Sequence, residues 1–177
     1  MNLDTGNWID AIVLAMQGNT SSGNETWLDY VGMYNPFISA AITVAYLWKR
    51  KPYWISYLVL NGLNEELSIW LKRLIREPRP TPYVEDPHHR GYYGMPSGHT
   101  QNAAFTLVYV ALVQPSWMMS CLLVLLGMIT VVERYKHGRH TIKQMAVGGA
   151  IGGVFAVASV YLVRRMLEWN LFPSILM

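Results

Sequence analysis

Cysteine is almost missing from this chain. Of 177 residues only Cys121 carries a thiol, which excludes an intrachain disulfide framework and a cysteine-based zinc site. Charge is scarce as well: Asp, Glu, Lys and Arg make up 14% of the sequence, where a soluble domain carries about 25%. With 52% hydrophobic residues, seven Trp and eleven Tyr, the composition disfavours a soluble protein and excludes intrinsic disorder. Basic residues are absent from the first 48 positions, which hold Asp4, Asp10, Glu25 and Asp29. Lacking a basic n-region, the N-terminus is not expected to act as a secretory signal peptide. Asn2 stands where myristoylation would need glycine, and the final Ser-Ile-Leu-Met has no prenylation cysteine.

What the chain does have is apolar segments. Five can be read, at 31–48, 53–71, 97–113, 116–132 and 142–163, each about 17 to 22 residues long. About 20 residues are needed to cross a hydrocarbon core of about 30 Å. The expected fold is therefore all-α: a polytopic integral membrane helix bundle of about five transmembrane helices. Residues 8–16 are too short to span and are expected to form an N-terminal interfacial helix. The chain divides into an acidic N-terminal segment (1–30), a transmembrane domain (31–165) and a C-terminal tail (166–177). The long irregular stretch, 76–96, is rich in Pro, Gly, Tyr and His, a composition that favours function over disorder.

Counting crossings places 49–51, 114–116 and 164–165 on one side, and the N-terminus, 76–96 and 134–143 on the other. Positive charge in the short loop Lys49, Arg50, Lys51 marks the first side as cytoplasmic. Nine of the fourteen basic residues lie on the opposite face, clustered where charge is expected to serve binding. Two glycosylation sequons, at Asn19 and Asn24, are usable only if that face is lumenal or exterior.

Residues 72–95 and 133–143 hold nine basic and four acidic residues, a net +5 on one membrane face. Such a patch attracts anions, and Arg forks suit phosphate oxygens. Lys72, Arg79 and Pro80 form K-x6-R-P; Pro96, Ser97, Gly98 and His99 form P-S-G-H; Arg134 and His140 form R-x5-H. At a helix start, Ser97, Gly98 and His99 can aim backbone N–H groups and a hydroxyl at an oxyanion. Lys72, Arg79 and Arg134 then offset charge developing on phosphoryl oxygens. Taken singly, Lys72 and Arg79 read as snorkelling cations, Ser97-Gly98 as a plain helix start, and either histidine as an interfacial hydrogen-bonding group. Joint occurrence at span ends on one face reverses those readings.

With these motifs the chain resembles the type-2 phosphatidic acid phosphatase superfamily, whose third motif reads S-R-x5-H-x3-D. The resemblance implies a metal-independent phosphatase without cofactors, in which His140 is the nucleophile that forms a phosphohistidine and His99 protonates the leaving oxygen and later activates water. Two positions depart from the pattern: Glu133 replaces Ser, and Gln144 replaces the Asp that orients the nucleophile. Gln144 lies at i+4 from His140, where a helical turn would bring its oxygen to the imidazole N–H. An amide fixes a tautomer but adds no countercharge, so orientation by Glu133 or a backbone carbonyl, a slower enzyme, or a weakened lipid-binding relative are the consequences weighed. Asn64-Glu65, Trp70 to Lys72, Glu77 to Pro80, Tyr93 to Ser97, Gln101, His140-Thr141, Gln144 and Gly148-Gly149 are similar to the dolichyl-diphosphatase branch, which also carries Gln at the Asp position.

Inside the second span, Glu65 shares a helix face with Lys72 and is expected to orient it or to face a wet cavity; Glu66 stands beside it. Gly148, Gly149, Gly152 and Gly153 form two G-x-x-x-G pairs, expected to pack the helix after His140 against its neighbours, with a homo-oligomer interface as the other reading. The resemblance thus implies hydrolysis of the terminal phosphate of a polyprenyl (dolichyl-type) diphosphate, with the bilayer and that lipid as partners and no nucleic acid. The implied location is the endoplasmic reticulum with a lumenal site, or an exterior site on a plasma membrane. Phosphatidic acid and glucose-6-phosphate are the alternative substrate types.

Overall fold

A computed structural model describes residues 26–82 and 91–171. Its regular structure is five helices: α1 (Trp27–Tyr46), α2 (Lys51–Ile75), α3 (Gly98–Val113), α4 (Trp117–Lys136) and α5 (Ile142–Glu168). They coincide with the five apolar segments read from the sequence. The fold of the described residues is all-α, and it belongs in a membrane. The expected interfacial helix at 8–16, the sequons at Asn19 and Asn24, and residues 172–177, half of the tail, lie outside the described residues. Helix α1 begins at Trp27, and α5 runs to Glu168, each a few residues beyond the divisions drawn at 30/31 and 165/166.

Local chemistry explains the helix ends. Thr26 and Asp29 form a capping box that starts α1, with the Thr26 N–H donating to Asp29 Oδ2 at 2.7 Å. Pro52 sits in the first turn of α2, where its missing N–H costs nothing. Helix α2 ends on Arg76 in the left-handed region, φ 54°. Ser116 caps α4, and a second capping box, Thr141 with Gln144, starts α5.

Two of the helices, α4 and α5, are long and apolar enough to cross a membrane by composition alone. In α1, α2 and α3 polar residues dilute the signal because they face inward: Asn35, Ser39, Thr43, Asn64, Ser68, Gln101, Asn102 and Thr106 are buried. Apolar side chains such as Val59, Leu63, Val132, Val154 and Tyr161 point outward instead. That arrangement inverts a soluble fold and suits lipid, where polar groups must find partners inside. Gln101 donates to Asn64 Oδ1 at 2.9 Å and Asn102 to Asn61 at 2.7 Å, tying α3 to α2.

The apolar core occupies the far half of the bundle from the motif residues. Leu47, Tyr57, Leu60, Phe105, Tyr109, Val113, Ala156, Val160 and Val163 cluster there, with Tyr57 and Tyr109 rings 5.4 Å apart. In the near half, α3 and α5 approach so closely that glycine is required. A Cβ on Gly148 would meet the Ser97 carbonyl, and one on Gly152 would run into the Gln101 backbone. These glycines pack within the chain. Gly149, by contrast, faces open space.

Candidate active site

Four helix ends and two loops converge on one end of the bundle. The C-terminus of α2 carries Lys72, the N-terminus of α3 carries Ser97, Gly98 and His99, the C-terminus of α4 carries Glu133 and Arg134, and Gln144 opens α5. All the residues singled out by motif, separated by up to 72 positions in sequence, therefore meet at one face.

The loop after α2 is clamped by a short antiparallel contact. Gly94 N–H donates to the Glu77 carbonyl at 2.8 Å, Arg79 N–H to Tyr92 at 3.0 Å, and Pro78 pairs with Tyr93. This brings Arg79 beside His140: a guanidinium N–H approaches His140 Nε2 at 3.0 Å and the Arg139 carbonyl at 3.3 Å. Lys72 Nζ donates to Ser68 Oγ at 2.8 Å and to the Pro96 carbonyl, leaving one N–H for a ligand. Ser97 is fully buried, and its hydroxyl has no hydrogen-bond partner among the described residues. It holds the N-cap position of α3 without a side-chain cap hydrogen bond, and the first α3 amides have no intrahelical acceptors, so hydroxyl and amides together are suited to receive an anion.

His140 has a defined tautomer. Its Nδ1 faces two acceptors, the Gly94 carbonyl at 3.0 Å and Gln144 Oε1 at 3.3 Å, so Nδ1 carries the proton. The lone pair is then on Nε2, which faces the Arg79 guanidinium. The side-chain amide of Gln144 is oriented by the same logic. Its Nε2 donates to Glu77 Oε1 at 3.0 Å and the Pro78 carbonyl at 2.8 Å, while Oε1 accepts from Thr141 N–H at 3.2 Å. His140 precedes the cap Thr141 and lies outside α5. Capping-box geometry, which folds the Gln144 side chain back over the helix end, makes the contact expected from an i,i+4 helical turn. Burial first, and then the neighbouring Arg79, Lys72 and Arg134, push the His140 imidazole pKa well below its usual value, so the ring is neutral.

His99 is anchored by a contact no motif announces. Its Nε2 meets the Met33 carbonyl on α1 at 3.0 Å, so this nitrogen is the donor and Nδ1 is left for proton exchange. Asp29 holds α1 in place for that contact by pairing with Lys136 at 2.7 Å and His137 at 3.3 Å at the end of α4. Glu133 pairs with Arg134, both nearly fully buried, and the acceptors facing His140 are Gly94 and Gln144 instead. Glu65 lies beside the start of α3: a Cβ on Gly98 would stand 3.5 Å from its carboxylate, and its charge acts on Lys72 through space. Lys72's direct partners are Ser68 and Pro96, and Glu66 is exposed. Glu77, Gly94, Met33 and Asp29 were not singled out as site residues by sequence reasoning; Glu77 and Gly94 stood only within stretches similar to the dolichyl-diphosphatase branch.

A cationic, histidine-bearing cradle at one end of a bundle suited to lipid fits a phosphate group. Residues 53–167 match the PAP2 superfamily, and the chain belongs to it. Among curated proteins, human dolichyldiphosphatase 1 is 30% identical over 166 residues, spanning 84% of this chain and 68% of its own length. The chloroplastic lipid phosphate phosphatase epsilon 1 of Arabidopsis thaliana is 32% identical over 103 residues, 53% of this chain and 35% of that protein. The crystal structure of a transmembrane PAP2-type phosphatidylglycerolphosphate phosphatase from Bacillus subtilis superposes with a TM-score of 0.58 at 17% identity, covering 92% of this chain and 90% of that one. The similarity of fold and family extends over the site. The chain is an integral membrane phosphatase of the lipid phosphatase type.

Proposed function

We propose that this chain removes the terminal phosphate from a polyprenyl diphosphate of the dolichyl type, through a phosphohistidine on His140. The observation that carries the reading is the fixed tautomer of His140: Nδ1–H is held by Gly94 and Gln144, and the Nε2 lone pair faces the Arg79 guanidinium, with Lys72 and Arg134 acting on the ring through space. A terminal phosphate seated among those cations and the α3 amides places phosphorus within reach of Nε2. The lone pair forms the N–P bond while the bond to the bridging oxygen breaks, its electron pair leaving with the polyprenyl monophosphate. That leaving group is a weak base, with a second pKa of about 6, and demands little help from His99. In the second step Nδ1 of His99 takes a proton from water, the hydroxyl attacks phosphorus, and the N–P electrons return to His140.

The similarity to dolichyldiphosphatase favours a prenyl diphosphate over other lipid phosphates. The site's position at the helix ends, with apolar helix faces beside it to accompany a lipid tail, favours a lipid over a soluble sugar phosphate. By the positive charge of Lys49 to Lys51, the site faces the lumen of the endoplasmic reticulum or the cell exterior. Purified protein in detergent, with EDTA present, is expected to release phosphate from a prenyl diphosphate faster than from phosphatidic acid or a sugar phosphate. His140→Ala is expected to lose at least about a thousandfold in kcat. Full activity in that variant would sink the mechanism, and a preference for sugar phosphate would sink the substrate.

A further inference from the structure

The third motif lacks its carboxylate, yet a carboxylate stands one residue further away. When His140 Nε2 bonds to phosphorus, the ring becomes a phosphorylated imidazolium and Nδ1 keeps its proton. A neutral Gln144 accepts that hydrogen bond but adds no countercharge. Behind it, however, Gln144 Nε2 donates to Glu77 Oε1 at 3.0 Å. We propose that Glu77 is a positioning residue for phosphoryl transfer, its carboxylate acting on His140 through the side-chain amide of Gln144. The inference rests on His140 as the nucleophile.

The geometry is that of a relay. Oε1 of Gln144 faces Nδ1, and the amide nitrogen faces Glu77 and the Pro78 carbonyl, so a charge at one end polarises the amide toward the other. Glu77 is held in place by its backbone, whose carbonyl accepts from Gly94 N–H at 2.8 Å; its other oxygen meets Lys143 Nζ at 3.0 Å on the open side, away from Gln144. The hydrogen bonds from Lys143 and Gln144 hold its carboxyl below the usual carboxylate range, so it is ionised at neutral pH. Lys143 is 71% exposed, and an ion pair so open to water contributes little to stability. Electrons balance without Glu77 gaining a proton: the Nε2 pair makes the N–P bond, the bridging oxygen leaves with its own pair, and the Nδ1 proton stays in place.

Full-length protein in detergent, assayed with a prenyl diphosphate, tests the relay. Glu77→Gln is expected to lower kcat about 10- to 100-fold, the range typical for a residue supporting a reactive ligand, with KM within about twofold. The acid-labile phosphohistidine should form correspondingly more slowly in rapid-quench experiments. Lys143→Gln should stay within about twofold of the wild type, because it removes only the exposed pair. In a Gln144→Asp background, where the carboxylate stands directly against His140, Glu77→Gln should cost less than about threefold. Wild-type kcat in Glu77→Gln, an equal loss in Lys143→Gln, or the same loss in both backgrounds would each overturn the proposal. Glu77→Gln against Lys143→Gln decides it even if Gln144→Asp does not fold. An inactive His140→Ala beside a fully active Glu77→Gln removes the relay alone, whereas an active His140→Ala removes the nucleophile on which it rests.

Discussion

At the scale of single residues, the site depends on groups that have no functional side chain. Gly94 is one. Its carbonyl accepts from His140, and a Cβ at this position would meet Gln144 Oε1 at 2.5 Å and Arg79 Cγ at 3.0 Å. Gly94→Ala is expected to displace both Gln144 and Arg79, the side chains that meet His140, and lower kcat about a hundredfold, the cost of roughly 1 Å of misplacement. A circular dichroism spectrum matching the wild type, with activity lost, is the outcome that supports this; wild-type kcat would refute it. His140 itself makes a stability prediction. Its pKa is depressed in the folded chain, so between that value and the unfolded value of about 6.5 the unfolded state binds the extra proton. Stability should therefore fall as pH drops below about 6.5, and His140→Asn should flatten that part of the Tm-against-pH curve relative to wild type.

At the scale of elements, the active geometry is built from helix ends. The capping box of α5 does two jobs, satisfying the Thr141 N–H and turning Gln144 toward His140. The α3–α5 contact then sets the distance between the two motifs these helices carry: Ser97 N–H donates to the Gln144 carbonyl at 3.1 Å, and Thr100 to the Met145 carbonyl at 3.2 Å. Gly152→Ala forces a methyl into the Gln101 backbone and is expected to cost about 1–3 kcal/mol. Gly149→Ala, on the open face, should be neutral or stabilise by up to about 1 kcal/mol from helix propensity. Thermal unfolding of the two variants in the same detergent checks the contrast, and equal Tm values would contradict it.

At the scale of the molecule, two halves divide the work. One half of the bundle is filled by aromatic and aliphatic side chains, Tyr57, Phe105, Tyr109 and Val160 among them, and holds the helices together. The other half trades that packing for buried amides, hydroxyls and cations at the candidate site. The low charge content of the whole chain follows from this arrangement, since lipid-facing surface excludes charge and the cationic end of the bundle collects it. Outward-facing Trp48, stacked on Trp54 at 5.5 Å, and Trp117 and Trp169 lie at the end remote from the site, in positions suited to a membrane interface.

The sequence by itself determined the helices and the identity of the cationic cluster. Apolar runs of spanning length force helix formation in lipid, and the short spacings Lys72 to Arg79 and Arg134 to His140 keep each pair at the same helix end. Only the tertiary structure decided what orients the histidines. His99 leans on Met33 across 66 positions, His140 on Gly94 across 46, and Gln144 on Glu77 across 67. Two of those partners are backbone carbonyls, which every residue possesses, and the third is a carboxylate whose meaning appears only when an amide 67 positions away turns to meet it. Hydrogen bonds of that range carry no periodicity in the chain, and they exist only once the helix ends have been brought together.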